Sequence, residues 1–222
     1  MRVGRAALGA LALAALAALA WAAWWLWLRP PRAPAAGAAS TITHAACALP
    51  PRVAPGDAPR QSAPPSTLAP FRAGDATLAP LAGFSIDARV LSRRDYAHGR
   101  EGRLAPTDLA LGWGRMRDDA VLAQLEINQA GRWYHYRWRG DDAPIPPPEI
   151  TRSSANMHLI PADKVIARAL DAVDEGQRVR IDGWLVDAQS ADGWRWRSST
   201  SREDTGAGGC EIVYVCAITR VE

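Results

Sequence analysis

Thiols and imidazoles are scarce in this chain: three cysteines and four histidines stand among 222 residues. His44, His98, His135 and His158 are dispersed, and neither a Cys-x-x-Cys pair nor a helical pair of histidines occurs. Zinc sites need that clustering, so the sequence points to no metal and to no cofactor. A phosphate-cradling loop is missing too. Thr205-Gly-Ala-Gly-Gly209 is glycine-rich, but it leads into a strand without the Lys-Ser/Thr ending of a P-loop and reads as a turn or bulge. Ser198, Ser199 and Thr200 have no nucleophile-elbow context and read as strand-end hydroxyls that bond backbone.

A basic excess is absent where a nucleic-acid binder needs one. The chain carries 26 Lys/Arg against 23 Asp/Glu, a net charge of +3. Residues 1–83 hold 7 basic and 2 acidic side chains, whereas residues 84–222 hold 19 and 21, a balance of −2. The positive charge therefore belongs to the N-terminal part, and nucleic acid is disfavoured as a partner of the remainder. Local patches remain around Arg132, Arg137 and Arg139, and around Arg195 and Arg197.

What the sequence does have, at once, is a run of 23 uncharged residues from Ala6 to Leu28, set between Arg2/Arg5 and Arg29/Arg32. As a helix it reaches about 34 Å at ~1.5 Å per residue, enough to cross a ~30 Å bilayer core with some tilt. Trp21, Trp24, Trp25 and Trp27 crowd its C-terminal end, where indoles favour the headgroup level. A secretory signal peptide with cleavage near Ala18-Leu19-Ala20 is the rival reading. The run continues beyond that site, which favours an uncleaved anchor, residues 1–28, with a slight bias to N-terminus inside. The expected location is a bacterial inner membrane, crossed once, with the following domain in the periplasm.

Residues 29–80 hold eleven of the seventeen prolines and no sustained apolar period. They are expected to form a disordered, semi-rigid linker with polyproline II stretches. From Phe84 to Glu222 the pattern changes to regular apolar alternation over 139 residues with six Trp and four Tyr, one domain's worth.

Period-two alternation predicts a strand over 84–91, with Phe84, Ile86, Ala88 and Val90 on one face, followed by a long loop. Leu122–Asn128 and Arg132–Trp138, flanking Gln129-Ala130-Gly131, read as a hairpin supplying strands two and three. Tyr134, Tyr136 and Trp138 share one face of that segment, opposite Trp133. A helix is predicted over 161–173 from its early proline, Asp163 in the first turn, and a face of Val165, Ile166, Ala169, Leu170 and Val173. Gly176 stops it. Gln177–Gln189 is the fourth strand, Trp194–Ser199 folds back on it, and Cys210–Ile218 closes the domain. Three strands, a helix and two or three further strands point to a mainly β fold with one helix, a small OB-like β-barrel over 84–222; a different small β-barrel or an α+β sandwich fits the same local signals.

Three segments also carry a resemblance. Ser153–Pro161 (SSANMHLIP), Val179–Val186 and Trp194–Cys210 (WRWRSSTSREDTGAGGC), with Gly112-Trp113-Gly114, resemble an uncharacterised family of bacterial membrane-anchored or exported proteins. The likeness covers roughly residues 91–215. It implies location and no particular activity.

Candidate functional residues follow from these segments: Trp113, Asn156, His158, Ser198, Ser199, Arg202, Asp204 and Cys210. Cys210 with His158 and Asn156 has the residue types of a thiol nucleophile, base and orienter, but the same residues fit a buried strand cysteine and a loop-bonded histidine. Cys210 and Cys216 lie on one extended segment, about 20 Å apart at ~3.3 Å per residue and beyond the ~7 Å limit for a bridge. Cys47 reaches either one, leaving one thiol over. The expected function is a non-catalytic, membrane-tethered binding or assembly module contacting an envelope protein or glycan through aromatic residues. An envelope hydrolase or transferase using Cys210 and His158, and a single-strand nucleic-acid binder, are the alternatives.

Overall fold

The computed structural model describes residues 41–201 and 210–221. The expected anchor, residues 1–28, lies outside the described residues. Among the described residues, no helix is long and apolar enough to cross a membrane.

The fold is mainly β. The strands are β1 Thr41–Thr43, β2 Arg60–Ser62, β3 Phe71–Ala73, β4 Ala76–Asp95, β5 Thr107–Gly112, β6 Leu125–Ala130, β7 Trp133–Trp138, β8 Ser154–Pro161, β9 Arg178–Gln189, β10 Arg195–Arg197 and β11 Glu211–Val221. Among the described residues four short α-helices join them, α1 Gly99–Leu104, α2 Asp119–Leu122, α3 Pro147–Arg152 and α4 Lys164–Asp171, with a 3₁₀ turn at Gly114–Arg117. The single expected helix is α4; the other three are one-to-two-turn pieces inside the connections around β5 and the β6–β7 pair.

Nine strands form one sheet along the path β1-β11-β8-β5-β4-β9-β10, with β2 and β3 paired to β4 and a further pairing of β11 with β9. β8 and β11 run parallel, and the other pairs are antiparallel. Short β1 and β10 end the path as edges, so the sheet as a whole is not a closed barrel. β6 and β7 form a separate two-stranded sheet.

The predicted first strand lies within β4, and Phe84, Ile86, Ala88 and Val90 all enter the main core as their alternation requires. Register shifts at Pro80/Ala82 and Val90/Ser92 interrupt its 20 residues. Such bulges bend a strand, which lets β4 pair with β9 along Thr77–Arg89 and then with β5 along Arg89–Asp95. Leu109 and Leu111 of β5, Met157 and Leu159 of β8, Val179 and Ile181 of β9, and Val213 and Val215 of β11 complete this core with α4. Asp163 caps α4 by accepting from the Val165 and Ile166 N–H groups, each at 2.7 Å. Ile166, Ala169 and Leu170 are buried beneath the helix, but Val165, in its first turn, is 46% exposed and lies off the expected apolar face. Gly183 lets β9 approach β11: a Cβ there would stand 2.0 Å from the Tyr214 carbonyl oxygen.

Two expectations are corrected. The predicted strands two and three are the separate β6–β7 hairpin; the strands that follow β4 in the main sheet are β5 and β8. Thr107-Asp-Leu-Ala-Leu-Gly112 is buried along its whole length, whereas β7 alternates strictly between exposed and half-buried residues and packs Tyr136 and Trp138 on a satellite cluster with Met116, Val121 and Ile150. Tyr134, Tyr136 and Trp138 do share the inner face. The hairpin turns on Gly131 and Arg132, both at positive φ, 57° and 65°; the pairing of Ala130 with Trp133 makes it a two-residue turn, one step later than expected.

Residues 41–80 are also no free linker. β1 pairs with β11, β2 and β3 pair with β4, and Cys47 is bridged to Cys216 with their Cα atoms 5.6 Å apart. Val53 is buried and its N–H donates to Ser85 Oγ at 2.9 Å, while Trp184 Nε1 donates to the Ala48 carbonyl at 3.0 Å. A proline-rich segment without its own core is held here by a ready-made sheet, which supplies the missing hydrogen-bond partners at a few points. The bridge is one that sequence separation left open, and Cys210 stands outside it.

Candidate functional site

Alternation along β5 and β8 sends Leu109, Leu111, Met157 and Leu159 inward, so Asp108, Asn156 and His158 share the outer face. Asp108 and His158 are direct cross-strand partners. His158 Nδ1 lies 2.9 Å from Asp108 Oδ1, a close contact without hydrogen-bond alignment. Arg132 reaches this face from the hairpin turn: Nη1 donates to Asp108 Oδ1 at 2.8 Å and Nη2 to the Ala105 carbonyl at 3.1 Å. Its guanidinium lies 4.0 Å from the Tyr96 ring centre and 5.2 Å from that of Trp196. Asn156 Nδ2 donates to Asp108 Oδ2 and to the Arg132 carbonyl, while its Oδ1 accepts from Gln129. The Trp196 ring covers His158 at 4.8 Å.

These groups are closed off from solvent: Asp108 is 0%, His158 2% and Asn156 7% exposed. Their chemistry is therefore directed inward. The cluster clasps the hairpin turn, β10 and the α1 connection onto the main sheet, with Asp108 drawn from β5, Asn156 and His158 from β8, Gln129 from β6 and Arg132 from the hairpin turn. A buried carboxylate with an arginine and two further polar neighbours specifies one docking geometry, and it is costly to break from one side.

The remaining expected residues disperse around it. Trp113 is 3% exposed and belongs to the main core. Ser198 Oγ accepts from the Ile212 N–H and donates to the Ser199 carbonyl, and the Ser199 N–H donates to the Cys210 carbonyl. The Ser199 hydroxyl bonds the Ser201 backbone, so both are backbone-bonding hydroxyls, as expected; Ser198 Oγ and the Ser199 N–H join β10 to the start of β11. Cys210 is half-buried just before β11. Arg202 and Asp204 lie outside the described residues. Asp108 is not among the expected residues, although its place as a charged residue in the short apolar Leu109/Leu111 alternation marks it; Tyr96 and Gln129 carry no comparable signal.

An open, concave surface lies elsewhere, around Tyr214 of β11. One cleft of about 570 Å³ is bordered by Arg72, Asp75, Arg103, Ile160 and Tyr214. A second, of about 260 Å³, is lined by His44, Cys47, Leu68, Phe71, Trp184 and Tyr214. The Phe71 and Tyr214 rings meet at 4.7 Å with a 60° tilt. Burial, followed by the nearby Asp163 charge, pushes the Tyr214 hydroxyl's pKa up, so it stays a neutral donor through the physiological range. More than half of this surface is built by residues 41–80, the segment expected to be free. Among the described residues, no group of three His, Cys, Asp or Glu side chains is placed to hold a metal ion.

No family model, curated protein or solved structure matches the chain.

Proposed function

We propose that this chain is a non-catalytic binding or assembly module, tethered by residues 6–28 to a bacterial inner membrane and acting in the periplasm on an envelope protein or glycan. The observation that carries the reading is the pair of clefts sharing Tyr214. An aromatic floor and a rim of Arg72, Asp75 and Arg103 suit stacking and hydrogen bonding, the means by which concave sites hold a partner without reacting with it. The Cys47–Cys216 bridge supports an oxidising compartment, where such bonds persist.

The pairings β4–β5, β5–β8, β8–β11, β11–β9 and β9–β4 return to their start, with α4 between β8 and β9. We take that circuit as an OB-like barrel to which β1, β2, β3, β10 and the hairpin are added. OB-type barrels offer the face of their second and third strands to oligonucleotides. Arg132 and Trp196 cover that face on β5 and β8, which weighs against nucleic acid as strongly as the domain's charge.

A photo-crosslinking residue placed at Tyr214 of the full chain in intact cells tests the proposal, with Trp133 on the exposed hairpin face as control. The expected result is a discrete adduct with an envelope protein or glycan from position 214 and none from 133. Adducts from 133 alone, or loss of complementation by a folded Cys210→Ala variant, would overturn it.

A further inference from the structure

The outer face of the β4–β9 ladder carries a second concentration of charge that the clefts at Tyr214 do not use. Asp87 stands opposite Arg180 and Arg89 opposite Arg178. Their neighbours Ile86, Ala88, Val179 and Ile181 enter the main core, so these four side chains share the outer face. The Asp87 carboxylate is fully buried and accepts from Arg178 Nη2 at 3.0 Å and Arg180 Nη2 at 3.3 Å, with Arg117 Nη1 at 3.6 Å. Arg89 is fixed beside them by its bond to the Arg117 carbonyl at 3.1 Å and by the exposed Asp119 carboxylate. Four guanidiniums thus converge where two carboxylates, Asp87 and Asp119, answer them.

These are not freely solvated arginines. The side chains of Arg89, Arg117, Arg178 and Arg180 are 25%, 20%, 33% and 19% exposed. The Nε–H groups of Arg89, Arg178 and Arg180 are buried and find no acceptor among the described residues. Buried donors are normally paired, and guanidiniums packed together repel unless an anion lies among them. Asp87 fixes the forks in place but is too small an acceptor to use them all. Farther along the same face, Asp182 is already engaged by Ser85 at 2.6 Å and Arg52 at 3.2 Å. On its other side Arg89 borders a cleft of about 380 Å³, with Glu175 at its rim.

We infer that this face binds a phosphate-type oxyanion, held by Arg89, Arg117, Arg178 and Arg180 over the buried Asp87. The excess of two positive charges matches a dianion, and planar forks with parallel N–H donors match its several acceptor oxygens. A free phosphate ion and the phosphomonoester headgroup of a lipid present the same chemistry.

The test is ³¹P NMR titration of the full chain in detergent micelles, at matched ionic strength, with inorganic phosphate in one arm and a short-chain phosphatidic acid in the other. Saturable binding is expected in at least one arm. Arg117→Gln and Arg178→Gln, each checked for an unchanged circular dichroism spectrum, weaken it about tenfold or more, whereas Arg195→Gln on the separate Asp187 cluster leaves it intact. Tighter binding of the lipid identifies a headgroup as the source; equal or weaker binding identifies free phosphate. Arg117 comes from the connecting segment, so its replacement keeps the β4–β9 ladder and the test even where Arg178→Gln does not fold. No saturable binding in either arm, or binding unchanged in the folded variants, would overturn the inference.

Discussion

Opening the Cys47–Cys216 bridge should loosen residues 41–80 on the sheet and cost the domain part of its stability. The bridged residues are 169 positions apart. For a loop of that length the chain-entropy relation gives about 17 cal/mol/K, or about 5 kcal/mol at 25 °C, while native bridges commonly deliver about 2–4 kcal/mol. Cys216 is fully buried, so a hydroxyl in its place would add a desolvation cost; alanine at both positions isolates the link more cleanly. The contacts of β1, Val53, Leu68 and Phe71 remain, and they make the change a weakening of the folded state rather than its abolition. Urea denaturation of the full chain in micelles, followed by tryptophan circular dichroism, compares wild type with Cys47→Ala/Cys216→Ala and with wild type under reductant. A loss of about 2–5 kcal/mol is expected in both, with faster tryptic cleavage after Arg52 and Arg60. A loss below about 1 kcal/mol in both, with unchanged cleavage, would refute the view that the bridge holds residues 41–80 to the sheet.

Asp108→Ala strands the largely buried Arg132 guanidinium and should cost about 3–5 kcal/mol by chemical denaturation; an effect under about 1 kcal/mol would mean that the clasp is not under mutual constraint. Asp163→Ala removes the α4 cap and the His44 contact at 2.7 Å, for an expected loss of about 1 kcal/mol in the same assay. Burial works to raise the Asp187 pKa, but bonds from Arg195, Gln189 and Arg197 outweigh it and hold the carboxylate below its ordinary range. Its stabilisation is therefore complete above the unfolded value of ~3.9 and is lost as pH falls through the lower folded value. Unfolding midpoints measured from pH 5 down to ~2 should fall more steeply for wild type than for Asp187→Asn, and parallel curves would contradict the assignment.

The parts of the fold legible in the sequence are those whose signal is local. Alternation from Phe84 to Val90 and the Asp163 cap before an apolar stripe are written within ten or so residues, and the structure honours both. Thr107–Gly112 carries only two leucines of alternation and is buried on both faces, so it offers little contrast. Ser154–Pro161 mixes Met157, His158, Leu159 and Ile160 without a clean period because its outer face is buried too. In the N-terminal segment, Val53, Leu68 and Phe71 are apolar anchors at no regular spacing, and the strands they serve exist only by pairing with residues far along the chain. The candidate residues divide in the same way. Asn156 and His158 stand out by type, but their meaning depends on Asp108 and Arg132, which reach them across 48, 50 and 24 positions, distances over which a sequence pattern carries no register.

The placement of the bridge has a mechanical consequence. A pull from the N-terminal side first loads the three residues of β1 against β11, and a few residues later it meets a covalent stop at Cys47. Beyond that stop, tension passes through Cys216 into β11, which is seated between β8 and β9, and residues 48–75 are left slack. Under load, then, the domain is gripped by one of its inner strands rather than unzipped from its first.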